Sequence, residues 1–152
     1  MVEVHNGLLV NIKKKAAIEK KIDEWIDRLN MLYQQVEEWL RDIPNLKVEV
    51  ERINVLQREE KMMKDYNIKP RYIQNLKIKT EKDYIAFYPV ALWVLGADGR
   101  VDVDTKDRHL ILLDVRQKGR TNSDWKITGV KDQKILVPFN KDFLLDLLDD
   151  IS

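Results

Sequence analysis

The chain has 152 residues, with 27 Lys and Arg against 26 Asp and Glu, two His and no Cys. That length matches one domain of ~100–200 residues, able to bury roughly 68–70% of its unfolded surface and fold without staples. The lack of Cys excludes disulfides, thiol nucleophiles, zinc–thiolate centres and iron–sulfur clusters, and a net charge of +1 argues against a globally basic nucleic-acid binder.

Charge is unevenly spread along the chain. Residues 1–21 hold five Lys and two Glu, residues 22–66 seven basic and eleven acidic groups, and residues 67–152 fifteen and thirteen. The near-zero total therefore hides a basic start and an acidic stretch behind it. No basic segment precedes an apolar core at the N-terminus. The longest apolar run, residues 84–95, contains Pro89 and falls short of the ~20 residues of a spanning helix. A soluble, cytoplasmic protein without a membrane partner is expected.

The first predicted element is a long amphipathic helix that starts between Asn11 and Lys15 and ends near Ile43, before Pro44. Its stripe is a heptad with Ile22, Leu29, Val36 and Ile43 at a, and Ile18, Trp25, Leu32 and Trp39 at d. A coiled coil would keep position e charged, but Ile26, Tyr33 and Leu40 sit there. So wide a face favours docking on a sheet of the same chain; a homodimer or partner helix is the alternative.

After Pro44 the period becomes two. Leu46, Val48 and Val50 alternate with Lys47, Glu49 and Glu51 as a half-exposed strand. Residues 57–66 read as a short helix or a loop, with Asn67 as a left-handed C′ residue and Ile68 at C″. Residues 72–79 alternate again. Residues 84–95 are apolar on both faces, as in a central strand covered on two sides, with a bulge or bend at Pro89. Gly96-Ala97-Asp98-Gly99 signals a hairpin. Residues 100–104 and 109–115 form strands, 116–124 a polar loop, and 125–130 with 134–139 a last hairpin. Asn140 caps a short C-terminal helix over 141–151 with Leu144, Leu147, Leu148 and Ile151 on its apolar face.

The sum is one α+β domain over 1–152: a long N-terminal helix within 1–43, a predominantly antiparallel sheet of about six or seven strands over 46–139, and a short helix within 140–152. The two helices are the available covers for the two sheet faces. The alternative is a curled sheet closing as a half-barrel around the long helix.

Several residues attract attention as candidate sites. Lys13, Lys14, Lys15, Lys20 and Lys21 cluster at the helix start, where the helix dipole disfavours cations; they suit an external anion or a solvated face. Arg116, Lys118 and Arg120 form a two-residue comb beside Gly119, suited to anions or to a plain hairpin tip. Asp98, Asp102 and Asp104 lack the spacing of a calcium loop. His5 and His109 are the only histidines, and His109 reads as a strand-end residue. Ser123 lies in no nucleophile elbow. Asp114, alone among apolar neighbours, needs a cationic partner if buried. Trp25, Trp39, Trp93 and Trp125 read as core. Met62, Met63, Tyr66 and Tyr72 form the expected exposed apolar patch. Nothing matches a nucleotide-binding or metal motif, so no cofactor and no metal are expected.

Three functional readings follow. The first is a non-enzymatic interaction or accessory subunit with a protein partner. The second is a nucleic-acid or anionic-ligand binder using the two basic clusters. The third is an enzyme using carboxylates only, which needs Asp114, Asp102 and Asp104 to converge in a pocket.

Overall fold

The wide apolar stripe folds as one helix, α1 (Val2–Arg41), in a computed structural model that describes residues 2–152, with side chains from residue 7 onward. The side chain of His5 lies outside that range. The helix begins well before the expected Asn11–Lys15 boundary: no Pro lies between Val2 and Lys15, and the helix runs through Asn11 without being capped there. Burial, by contrast, begins only at Ile18. From there the a, d and e positions are buried or half-buried in the chain's own core, Ile22, Tyr33 and Val36 completely. The stripe therefore docks within the chain and leaves no a/d seam for a second helix.

Seven strands follow: β1 (Glu49–Leu56), β2 (Tyr72–Lys79), β3 (Tyr84–Ala91), β4 (Arg100–Asp104), β5 (His109–Asp114), β6 (Trp125–Thr128) and β7 (Leu136–Pro138). They pair antiparallel in sequence order, as an open meander. Two short helices complete the α+β fold, α2 (Lys61–Asp65) between β1 and β2 and α3 (Lys141–Ile151) at the C-terminal end. The strand begins at Glu49, three residues after the expected start at Leu46: Asn45 adopts φ 61°, and Leu46 and Val48 pack against the core before pairing begins. The register shift between Pro89 and Ala91 is the bulge that proline imposes.

Alternation places Leu76, Ile78, Ile85, Phe87, Val101, Val103, Leu110, Leu112 and Ile127 on one face. All are buried there with residues from α1, α2 and α3. The two helices thus share one face instead of covering one each. The opposite face needs no such cover: it presents Lys77, Tyr84, Tyr88, Asp102, Asp104 and His109, whose polar ends reach water. Inside the core, Phe139 meets Trp39, Phe87 and Phe143 edge-on at 5.6, 6.0 and 6.1 Å.

Local chemistry sets the helix ends. After α2, Asn67 takes φ 53°, Ile68 N–H donates to the Met63 carbonyl at 2.8 Å and Asn67 N–H to that of Lys64 at 3.2 Å. That pair of bonds is a Schellman C-cap. Asn140 Oδ1 accepts from Phe143 N–H at 3.0 Å and caps α3. Asn140→Ala should lower the unfolding free energy by about 1 kcal/mol, read as a lower urea midpoint at unchanged slope.

A meander alternates its connections between two ends. Residues 57–71, 92–99 and 115–124 lie at one end, and 80–83, 105–108 and 129–135 at the other. The first half of α1 runs to the former, where Arg71 pairs with Glu19 at 3.6 Å and also with Asp23. The three connections there and residues 13–24 hold thirteen Lys and Arg against eight Asp and Glu.

Candidate functional site

Asp114 ends β5 on its core side and is fully buried. A lone carboxylate there would carry a large desolvation cost. It is met by Arg28, itself 6% exposed, whose Nη1 donates to Asp114 Oδ2 at 2.5 Å. Asp114 Oδ1 accepts from the backbone N–H of Asp124 at 2.9 Å and of Arg116 at 3.3 Å. Arg28 Nη2 donates to the Asp98 carbonyl at 3.0 Å, and its carbon Cζ lies 5.1 Å from the Trp25 ring centroid. Arg28 Nε–H is buried without an acceptor among the described residues. One ion pair therefore ties α1 to the β3–β4 and β5–β6 connections.

Gly99 lets the helix come this close. It adopts φ 151°, and a Cβ at that position would fall 2.2 Å from the Trp25 ring. Trp25 in turn packs on Trp125 at 6.1 Å.

Above this pair lies a cleft of about 420 Å³, lined by Lys21, Glu24 and Arg28 on one side and by Leu92, Trp93, Val94, Leu95, Ala97, Asp98 and Arg116 on the other. The β3–β4 connection is clamped at both ends. Glu60 accepts from Leu92 and Trp93 N–H, each at 3.1 Å, and burial raises its carboxyl above the usual range. At the other end Asp98 N–H donates to the Asp114 carbonyl at 2.7 Å. A bridge between Val94 and Ala97 closes the tip. On that tip Leu95 is 105% exposed, and Gly96 turns the chain at φ 80°.

The two basic clusters meet here through one member each, Lys21 and Arg116. Lys13, Lys14 and Lys20 are exposed and Lys15 is half-buried, further along α1. The comb is not extended. Gly119 bends the loop at φ 84°, Arg120 N–H donates to the Gln117 carbonyl at 3.0 Å, and Arg116 Nε pairs with Asp98 Oδ2 at 2.8 Å. Lys118 and Arg120 stay exposed on the tip.

Three further expectations are corrected or placed. Met63 is fully buried, because α2 turns it into the core, and Tyr66 is half-buried; Met62 and Tyr72 remain exposed. Asp102 and Asp104 lie on the opposite face of the sheet from Asp114, so the three carboxylates do not converge. They flank His109 instead: Asp104 Oδ1 is 2.5 Å from Nδ1 and Asp102 Oδ2 3.6 Å from Nε2, on an open surface. Among the described residues no group of three or more His, Asp or Glu is placed to hold a metal ion, and no helix is long and apolar enough to cross a membrane.

On their own, Arg28, Glu60 and Leu95 carry no sequence signal of a site, and Asp98 stands out by sequence only as part of an acidic hairpin. Asp114 inside an apolar strand pointed to a cation. Arg28, one residue before Leu29 on the border of the helix stripe, was the available signal for which one.

No protein family, curated protein or solved structure matches this chain.

Proposed function

We propose that the protein is a non-enzymatic, cytoplasmic interaction subunit, and that it docks its partner in the cleft between α1 and the β3–β4 connection. The observation that carries this reading is Leu95, a fully exposed apolar side chain on a loop fixed by Glu60, Arg28 and Asp114. Ordering such a loop before binding lowers the entropy cost of association. An apolar knob with half-buried Trp93 beside it resembles the anchor of an interface. Lys21 lines the cleft and Arg116 is already paired with Asp98, so the fitting partner is a protein segment carrying an apolar residue beside a carboxylate for Lys21. The a/d face of α1 lends no support to a homodimer, since it is already buried. A nucleic-acid reading has weaker support, because phosphates would use the cations and leave exposed Leu95 without a role.

The test is selection of a displayed random-peptide library on the immobilised protein. Enriched peptides should combine carboxylates with an apolar residue and bind Leu95→Asp or Lys21→Glu at least ten times more weakly, roughly the loss of one anchor. No enrichment, or equal binding to both variants, would overturn the reading.

A further inference from the structure

The start of α1 has no counterpart in the core. Residues 7–17 are exposed or half-exposed along their whole length, and Leu8, Leu9, Val10 and Ile12 are 45–58% exposed. Five lysines follow, Lys13, Lys14, Lys15, Lys20 and Lys21, with Glu19 as the sole carboxylate of residues 7–21.

Apolar and basic residues are separated along the helix axis, not around it. At ~100° per residue, Leu8, Leu9 and Val10 span about 200° of the circumference. Lys13, Lys14 and Lys15 span as much again. A helix that binds in a groove or a coiled coil needs a stripe; this arm has an apolar ring and then a basic ring. The apolar ring, residues 7–12, is about 9 Å long at 1.5 Å per residue. That matches the ~5–10 Å to which interfacial helices bury apolar groups at the headgroup boundary. Lysines just behind such a segment lie at phosphate level, with their stems along the apolar layer.

We infer that the arm enters the surface of an anionic lipid bilayer, with Leu8, Leu9, Val10 and Ile12 at the boundary of headgroups and acyl chains and Lys13, Lys14, Lys15 and Lys20 on the headgroups. Like charge opposes a second copy in the same place, since two arms would bring ten lysines together. Nucleic acid would use the lysines but not the leucines. The end of the sheet next to the arm is the basic one, and exposed Leu56, Met62 and Tyr72 lie at that end. The connections at the other end and α3 together carry six Lys and Arg against eight Asp and Glu. The body is thus polarised so that its basic end faces the surface.

The test is co-sedimentation of the full chain with vesicles of phosphatidylcholine containing about 30% phosphatidylserine, against phosphatidylcholine alone. Wild-type protein should bind the anionic vesicles at least ten times more tightly. Leu8→Ser/Leu9→Ser/Ile12→Ser should lose at least tenfold, and Lys13→Gln/Lys14→Gln/Lys15→Gln on the order of a hundredfold, about fivefold per lysine. Both triple variants should keep a urea midpoint close to the wild-type one, because none of the substituted residues belongs to the buried core. Leu8→Ser/Leu9→Ser/Ile12→Ser should bind the selected peptides like wild type, because those residues lie outside the cleft, so this inference and the docking cleft fail separately. Equal binding to both vesicle types would overturn the inference. So would indifference to the serine substitutions, the result expected of a phosphate binder. A concentration-dependent dimer abolished by those substitutions, without vesicle binding, would assign the arm to a second copy instead.

Discussion

Arg28→Met should cost about 3–5 kcal/mol of unfolding free energy, because it leaves Asp114 charged and buried without its counter-ion. For a chain of this length that is a fall in Tm on the order of 10 °C. Adding Asp114→Asn should recover more than half of the loss. The amide Oδ1 still accepts from Asp124 and Arg116 N–H, while the uncompensated charge is gone. Urea unfolding read by circular dichroism measures both, and the slope should not change. A loss below about 1 kcal/mol for Arg28→Met would mean that the pair behaves as an exposed ion pair. It would then be no tie between α1 and the two connections.

Gly99→Ala should cost about 2–4 kcal/mol. Two effects add. The backbone at φ 151° strains any residue with a Cβ, and the new methyl collides with the Trp25 ring. Gly96→Ala is the control: it shares a positive φ of 80° but meets nothing within 4 Å. It should cost about 1 kcal/mol, the strain alone. The collision should also perturb the near-ultraviolet dichroism of Trp25 and its neighbour Trp125, while Gly96→Ala leaves that signal unchanged. In a Trp25→Leu background the difference between the two alanine variants should shrink. Equal costs in the wild-type background would show that Gly99 is retained for its φ and not for the approach of α1.

Legibility in the sequence followed the range of the forces involved. Period and capping act over a few residues, so the helix stripe, the strand alternation, the Asn67 C-cap and the Asn140 N-cap were all readable. The start of α1 was not, because propagation of a helix needs no burial and the polar residues of Asn11–Lys15 do not break it. Which face each helix covers was not readable either. That depends on whether Tyr84, Ala86 and Tyr88 are covered or wetted, and a one-residue alternation does not distinguish the two. Of the site, the need for a cation at Asp114 was legible, but its identity rests on a contact across 86 positions. The spacing of Arg116, Lys118 and Arg120 makes a comb only in an extended chain, and whether Gly119 bends that segment is not legible from residue types alone. Met63 was misplaced for a similar reason: five residues of α2 carry too little periodicity to tell the inward methionine from the outward one.

The most direct test of the proposed docking cleft is amide hydrogen exchange of the protein alone and saturated with a peptide recovered by selection. Protection should appear in residues 92–98, around Lys21–Arg28 and at residues 115–120, while the amides of β1 and the open face of β3–β5 exchange as before. Protection confined to the β1 edge or the open face, with residues 92–98 unchanged, would contradict the assignment of the cleft.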